Sequence, residues 1–366
     1  MPQITDLPAL IAQLPEDRQI RFERLFHTQL ETGHCVVPDG MRDWVARRFG
    51  SVSDVETQHV VRVTNQVTWE GAAFNPLRAR RPLQTRPAAE QSKTDEPDLF
   101  ADPLNTTTAD IFGRVISDHC VTSSNLARWD GQCAVLIFCD PDPFAFTVDQ
   151  MRDYFRAALT WAARAHETDP DARYFIWMWN GGPAGGASIP HAHAQLGLAR
   201  ARHYAKVEAL RRAALSYRRQ HSADYFQDLL AAHADIGLSF EVNGLPGFVS
   251  LTPLRGKEAW ILGHAFDDQL ASAFAGVLRA LIERADLQAF DAAALMPPLF
   301  EPRTEDWSGF PCIMRIVDRG RPDALSSSIG ALDLFAQSVI MHDPFAVHQA
   351  IVGAQQQPAL QSTHVN

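Results

Sequence analysis

The sequence predicts an α+β fold in which sheets are flanked by helices. Compact apolar runs at residues 132–139 and 174–179 have the length and composition of buried strands. Between them, residues 147–166 carry apolar side chains at helical spacing, and Thr147 with Gln150 three residues later forms a helix-start signature. The order of strand, aspartate-rich turn, helix and strand recurs between residues 259 and 317, so the second half of the chain echoes the first.

The other elements follow from the same periodicities. Residues 16–30 and 41–49 have apolar positions at helical spacing, whereas residues 58–74 alternate apolar and polar side chains as strands do. The remaining predictions are a helix at 206–230, strands at 248–251 and 259–262, a helix at 266–285 and a strand at 312–317. These elements divide the chain into an N-terminal helical extension (1–57), a first half (58–205), a second half (206–352) and a tail (353–366).

Composition excludes several classes of function. The net charge of −10 argues against a general nucleic-acid-binding protein, which would present a basic face. No apolar stretch approaches 18 residues and no signal region begins the chain, so we expect a cytoplasmic protein with no membrane association. The five cysteines contain no CxxC motif, which makes a disulfide framework improbable.

Residues 180–197, NGGPAGGASIPHAHAQLG, form the stretch on which the functional interpretation depends. Four glycines and two prolines come before His191 in this stretch. His191, His193 and Gln195 then follow at every second position. In an extended chain these three side chains point to one face. A simple hairpin would need only two to five loop residues, fewer than this stretch provides. The sequence therefore predicts a glycine loop that opens onto a polar stripe.

This pattern suits phosphate chemistry. Successive backbone N–H groups in a glycine-rich turn form a concave site for anionic oxygens. A neutral imidazole is a competent nucleophile near pH 7, provided that its second nitrogen keeps a proton and gives it to an acceptor. Gln195 can donate a hydrogen bond to a phosphoryl oxygen but cannot act as an acid or base. Such a site favours transfer of a nucleotidyl group over hydrolysis.

The segment GGASIPHAHAQ resembles the active-site signature of the histidine-triad superfamily, in the branch that has Gln in place of the third His. This branch contains galactose-1-phosphate uridylyltransferase and the diadenosine tetraphosphate phosphorylases. The resemblance implies that His193 is the nucleophile and that Gln195 holds the transferred phosphate, whereas His191 either shares in the site or only orients its neighbour. The positions that it matches to substrate contacts are Asn180, Gly185, Gly186 and Ser188.

A second match lies at residues 74–84, FNPLRARRPLQ. Arginines at 78, 80, 81 and 86 form a cluster that would ordinarily be interpreted as a solvated basic turn. The segment is similar, however, to one in the uridylyltransferases, and this similarity implies that Arg78 contacts the nucleotide phosphates and that Arg81 occupies a second basic position. Arginine suits this role because its planar guanidinium binds phosphate through two hydrogen bonds.

The chain departs from the zinc-bearing members of that branch. Where they have a CxxC pair, this chain has Asp98 to Asp102, and proline stands at 143 where they have a further histidine. Only His191 remains of the ligand set, and structural zinc requires four ligands. We therefore expect no structural zinc and no tightly bound cofactor. Mg²⁺ carried by a nucleotide is compatible with such a site, although the sequence shows no ligands for it.

The resemblance implies a duplicated, two-lobed histidine-triad-like fold with antiparallel sheets flanked by helices, in which only the first half is catalytic. It implies a nucleotidyltransferase that moves a nucleoside monophosphate group, by way of a nucleotidyl-histidine intermediate, from a nucleotide sugar or dinucleoside polyphosphate to a phosphate-bearing acceptor. A homodimer is compatible with it. Three alternatives stay open: a phosphorylase rather than a uridylyltransferase, a catalytically silent nucleotide-binding protein, and a metal protein that uses the HxH pair.

Overall fold

The computed structural model describes residues 1–81, 97–303, 305–324 and 331–355. Two parts of the sequence interpretation lie outside these residues: Arg86 with the rest of the 82–96 stretch, and most of the predicted tail. Within the described residues, no helix is long and apolar enough to cross a membrane.

The strands form two sheets. They are β1 (Phe26–His34), β2 (Thr57–Asn65), β3 (Gly71–Phe74), β4 (Cys120–Ser124), β5 (Cys133–Phe138), β6 (Ala172–Gly181), β7 (His193–Arg200), β8 (Ser239–Val242), β9 (Leu245–Val249), β10 (Ala259–Gly263), β11 (Phe290–Leu295), β12 (Cys312–Asp318) and β13 (Gln337–Ile340). The larger sheet has the order β4-β5-β7-β6-β11-β12-β10-β9-β8, and every neighbouring pair in it is antiparallel.

The helices pack on both faces of this sheet. They are α1 (Leu7–Ala12), α2 (Glu16–Leu25), α3 (Asp39–Phe49), α4 (Val52–Glu56), α5 (Pro103–Thr106), α6 (Val148–Thr168), α7 (Ala205–His221), α8 (Tyr225–Asp235), α9 (Asp268–Ala285) and α10 (Pro344–Gln355). The predicted start of α6 is confirmed, because the Thr147 hydroxyl accepts from the Gln150 amide while the Gln150 side chain accepts from the Thr147 N–H. Asp267 caps α9 in the same way, by accepting from the Leu270 amide at 2.9 Å.

The large sheet is built from two similar units. In the first, β5, α6, β6 and β7 follow one another along the chain; in the second, β10, α9, β11 and β12 do so. Each unit places its strands in the same order, and the two units meet where β6 pairs with β11. The predicted α+β architecture with antiparallel sheets flanked by helices is therefore confirmed, with the strands of both halves joined in one continuous sheet.

The two faces of the large sheet have separate cores. α6 and α9 cover one face, where Trp177 and Trp179 of β6 pack with Phe155 and Phe274. α2, α7, α8 and the small sheet cover part of the opposite face, over a second apolar cluster. Beyond this cluster, near the start of β7, Phe100 packs with Val121 and Ile137 on the same face.

Two predicted helices have different boundaries in the structure. The helix predicted at 16–30 ends at Leu25, and β1 follows directly as the edge strand of the small sheet, paired antiparallel with β2 along its whole length. The helix predicted at 206–230 is two helices, α7 and α8, because Ser222 adopts a left-handed conformation (φ 53°) that ends the first of them. The small sheet, β1-β2-β3-β13, also contains one parallel pair, β3 with β13.

Candidate active site

The predicted glycine loop connects β6 to β7. Gly182 and Gly186 have φ values of +79° and +89°, which residues with a side chain rarely adopt. At Gly185 a Cβ atom would lie 2.8 Å from the Gly181 carbonyl oxygen, so the backbone folds too closely there for any side chain. Ser188 follows on the loop and is exposed. These glycines therefore hold a tight, solvent-facing turn next to the start of β7.

The strand register places the polar stripe on the face of the sheet opposite α6 and α9. His193 pairs with Ile137, and Gln195 lies between Val135 and Met178. Because side chains alternate across a strand, His193 and Gln195 share a face. Ala194 and Leu196 point instead into the core beneath α6. The prediction that the polar residues of this stretch share one face is thus confirmed for His193 and Gln195, whereas His191 precedes β7.

Asn180 extends this face to the next strand. Trp179 pairs with Ala194, so by the same register Asn180 lies beside His193. On its other side Asn180 pairs with Asp291 of β11. His193, Gln195 and Asn180 thus lie together on this face, near the end of the sheet where the glycine loop joins β6 to β7. The strand pairing also connects Gln195, through Met178 and Ala293 on the intervening strands, to Arg315 of β12 on the same face. Arg315 is buried and donates a hydrogen bond to Glu258 at 2.7 Å.

His193 is held in one tautomer. Its Nδ1 lies 2.7 Å from the carbonyl oxygen of His191, an atom that can only accept a hydrogen bond, so Nδ1 carries the proton and Nε2 keeps a lone pair. The ring is 7% exposed. Burial, the largest cause, lowers the pKa of His193, although the hydrogen bond to the His191 carbonyl oxygen acts to raise it. The imidazole is therefore neutral near pH 7, as a nucleophile requires.

His191 has both ring nitrogens engaged. Nδ1 lies 2.8 Å from Oδ2 of Asp98, and Nε2 lies 2.8 Å from the carbonyl oxygen of Phe138. Neither nitrogen can attack a phosphorus atom or bind a metal without losing a hydrogen bond. Of the two roles that the sequence left open for His191, the geometry favours orientation of its neighbour.

Gln195 presents an unengaged amide. The side chain is half-buried, and no other described residue donates a hydrogen bond to it or accepts one from it. It stands two residues from His193 on the same strand face. An amide in this position can bind a phosphoryl oxygen without taking part in proton transfer.

Arg78 and Arg81 lie apart from His193, at a cavity of about 600 Å³. Basic side chains are numerous in its wall: Arg78, Arg81, Arg255, Lys257, Arg319 and Arg321. Lys257 and Arg255 are paired with Asp318 and Asp333, at 3.1 Å and 2.8 Å. Arg78 and Arg81 have no such partner among the described carboxylates, and Nε of Arg78 is buried without a hydrogen bond in this part of the chain. Burial, and then the charge of Arg81, lower the pKa of Arg78. The two arginines are thus free to bind an anion.

Arg319 links this cavity to the glycine loop, and the sequence interpretation missed it. Its guanidinium lies 4.0 Å from the position that a Cβ on Gly186 would take, and it also lines the cavity. Oδ2 of Asp291 holds the guanidinium at 2.5 Å, on the strand next to Asn180. The signal in the sequence was an arginine directly after a buried strand, in the polar turn that follows residue 317, but nothing local associated that turn with residues 185 and 186.

The sequence predicts no structural zinc, and the possible ligand atoms in the structure bear on this prediction. Among the described residues no group of three or more His, Cys, Asp or Glu side chains is placed to hold a metal ion. At His191, the matching position, Asp98 and the Phe138 carbonyl oxygen occupy the ring nitrogens. These residues do not fit a structural zinc centre, and its absence stays a prediction.

Solved structures share this fold. An ADP-glucose phosphorylase from Arabidopsis thaliana, with bound ADP-glucose, is 16% identical to this chain; the alignment covers 79% of this chain and 97% of that one, with a TM-score of 0.60. A uridylyltransferase is 17% identical over 81% of this chain and 98% of its own, with a TM-score of 0.56. A GalT-like protein from Arabidopsis thaliana is 14% identical over 81% and 98%, also with a TM-score of 0.56. No family model and no curated protein sequence matches the chain. The fold implied by the resemblance is confirmed.

Proposed function

We propose that this protein is a nucleotidyltransferase that works through a covalent nucleotidyl-histidine. The donor is a nucleoside diphosphate sugar or a dinucleoside polyphosphate, and the acceptor is inorganic phosphate or a phosphate monoester. The single observation that carries the proposal is the ring of His193: Nδ1 is tied to the His191 carbonyl oxygen at 2.7 Å, which leaves Nε2 with its lone pair, on the first residue of the strand that follows the glycine loop. The fold of a phosphorylase and of a uridylyltransferase supports it.

The reaction has two displacements. In the first, Nε2 of His193 forms a bond to the α-phosphorus, and the bond from that phosphorus to the bridging oxygen breaks, so the sugar phosphate or nucleotide leaves with the electron pair. The ring becomes cationic and keeps the Nδ1 proton, which the His191 carbonyl oxygen stabilises. In the second, an oxygen of the acceptor phosphate attacks the same phosphorus, and the bond to Nε2 breaks. The neutral ring is thereby restored.

The loop and Gln195 stabilise the transferred group in both steps. Charge develops on the non-bridging oxygens, and donors already fixed in place stabilise it without reorganisation. The backbone around Gly185 and Gly186, the Ser188 hydroxyl and the Gln195 amide supply such donors. Mg²⁺ bound to the nucleotide would neutralise part of the phosphate charge.

The basic cavity suits the remaining phosphate. Arg78 and Arg81 have no described carboxylate partner, and Arg319 joins their cavity to the loop. With a net charge of −10 the whole protein repels anions, so local cations must attract the substrate. We assign the cavity to the phosphate end of the donor and, after that group leaves, to the acceptor.

Intact-mass spectrometry tests the function directly. The protein is incubated with nucleoside diphosphate sugars and dinucleoside polyphosphates, one at a time, and the expected result is a mass increase of one nucleoside monophosphate with the true donor. Inorganic phosphate or a hexose phosphate is then added, and whichever removes the adduct distinguishes a phosphorylase from a uridylyltransferase. Saturable nucleotide binding without any adduct would identify a silent binding protein and contradict the proposal.

Arg319→Gln tests the assignment of the cavity. We expect the acceptor concentration at half-maximal rate to rise at least about tenfold, since a charged hydrogen bond contributes about 1.5–3 kcal/mol. The rate is measured as loss of the adduct against phosphate concentration. Arg212→Gln is the matched control, because the Arg212 side chain is 62% exposed on α7 and pairs with Glu208 alone among the described carboxylates. An unchanged acceptor dependence in Arg319→Gln would remove this residue from the site.

A further inference from the structure

Asp98 is hydrogen-bonded to His191, which lies just before β7. Its Oδ2 accepts a hydrogen bond from His191 Nδ1 at 2.8 Å, over a separation of 93 residues. The His191 side chain is 5% exposed and that of Asp98 is 42% exposed, so a buried ring is paired with a carboxylate that solvent reaches. Although burial acts to raise it, the pKa of Asp98 is lowered by the hydrogen bonds from His191 and the Phe100 amide. Asp98 is therefore a carboxylate at neutral pH.

The second partner of the His191 ring determines its charge. Nε2 points at the carbonyl oxygen of Phe138, 2.8 Å away, and this oxygen can only accept. With acceptors at both nitrogens, only the doubly protonated ring satisfies both hydrogen bonds. Asp98 supplies the negative charge that such a buried cation needs. The ring is thus clamped between β5, which ends at Phe138, and the segment that contains Asp98.

The same carboxylate also places an aromatic ring over His193. Its Oδ1 accepts from the backbone N–H of Phe100 at 2.9 Å, which turns the chain back toward the sheet. The Phe100 ring packs edge-on against both imidazoles, with its centroid 5.1 Å from that of His193 and 5.9 Å from that of His191. Phe100 is 8% exposed. One side chain therefore fixes two of the surfaces that surround the His193 imidazole.

We propose that Asp98 is a positioning residue for the active histidine: it holds His191 against the Phe138 carbonyl group, so that the His191 backbone oxygen stays aligned with Nδ1 of His193 and Phe100 stays packed against the ring. This inference rests on the proposed function for its kinetic consequence only. The hydrogen bonds themselves can be tested without turnover.

The kinetic experiment uses Asp98→Asn in the full-length protein. We expect adduct formation in a single turnover to slow by about 10- to 100-fold, the usual loss when a residue that orients an active histidine is replaced. The donor concentration at half-maximal rate should change less than threefold, since the Asp98 carboxylate bonds to His191 and the Phe100 amide and not to a residue assigned to donor binding. Asp98→Glu restores the charge and should recover part of the rate. Asp102→Asn is the control, because Asp102 is exposed on the same segment and its carboxylate accepts only from Asn105 among the described residues.

Nitrogen NMR of the histidine rings provides the second readout. The wild-type protein should show His191 protonated at both nitrogens and His193 protonated at Nδ1, and Asp98→Asn should change both patterns while Asp102→Asn changes neither. Unaltered ring signals and an unaltered rate in Asp98→Asn would overturn the inference. A rate loss accompanied by unaltered ring signals and no recovery in Asp98→Glu would also overturn it. If the wild-type protein forms no adduct with any donor, the proposed function fails, and the ring signals still decide the role of Asp98.

Discussion

Replacing His193 with alanine should abolish nucleotidyl transfer, with kcat lower by about 10,000-fold or more. The covalent route needs a nucleophile at this position, and removing one usually leaves only the residual rate that binding and charge stabilisation provide. His191 cannot take its place without losing a hydrogen bond, because both of its ring nitrogens are engaged. The measurement is single-turnover adduct formation followed by intact mass, in which the nucleotidyl adduct should be missing.

The control for this variant is His264→Ala. His264 is exposed at the end of β10 in the second unit, so its removal should leave the adduct and the rate unchanged. Nucleotide binding to His193→Ala, measured by calorimetry, should persist, since the loop and the arginines are intact. An adduct of normal mass on His193→Ala would place the covalent bond elsewhere and refute the role given to this residue.

The sequence was sufficient where local signals and tertiary packing agree. α6 and α9 have capping side chains at Thr147 and Asp267 and an apolar face, and both were predicted to within about two residues. The alternation through His193, Ala194 and Gln195 predicted which face each side chain takes, and the register bears this out. Binary pattern determines the face whenever one side of a strand is packed against a core.

It was not sufficient where pairing overrides local preference. The first part of β1 was predicted as the end of a helix, because the sequence of this strand shows no apolar alternation. In the structure only Phe26 of its nine residues is buried. β11, Phe290–Leu295, joins the two units, yet its three alanines and lack of β-branched residues give little indication of a strand. Both strands exist because the neighbouring strands provide hydrogen-bond partners for them.

The site residues divide in the same way. His193, Gln195 and the loop glycines are contiguous in sequence, so their spacing alone indicates their chemistry. Asp98 and Arg319 lie near these residues but come from distant segments of the chain. Asp98, for example, is 93 residues away from His191, to which it is hydrogen-bonded. Asp98 stands at the end of a polar, proline-containing stretch that reads as a loop, and only the folded chain brings its carboxylate to a buried imidazole.

Gln195→Ala should lower the rate of adduct formation by about 100- to 1000-fold, the range found when one donor to a developing oxyanion is removed. The structure makes this a test of charge stabilisation rather than of packing, because the Gln195 amide has no hydrogen-bond partner among the described residues. Removing it should therefore leave the melting temperature within a few degrees of the wild type. Single-turnover mass spectrometry measures the rate, and thermal denaturation checks the fold.

Gln195→Glu tests whether the side chain at this position acts by donating a hydrogen bond or only by its size and shape. A carboxylate of the same size accepts but cannot donate when ionised, and it adds a negative charge beside a phosphoryl group, so we expect a larger loss than with alanine. Gln227→Ala, at an exposed position on α8, is the matched control and should behave as wild type. If both substitutions at Gln195 left the rate within about threefold of wild type, the phosphoryl oxygen would have to be held by the loop backbone alone. Nucleotidyl transfer would then depend on the geometry of Gly185 and Gly186, because the amide would add nothing to the transition state.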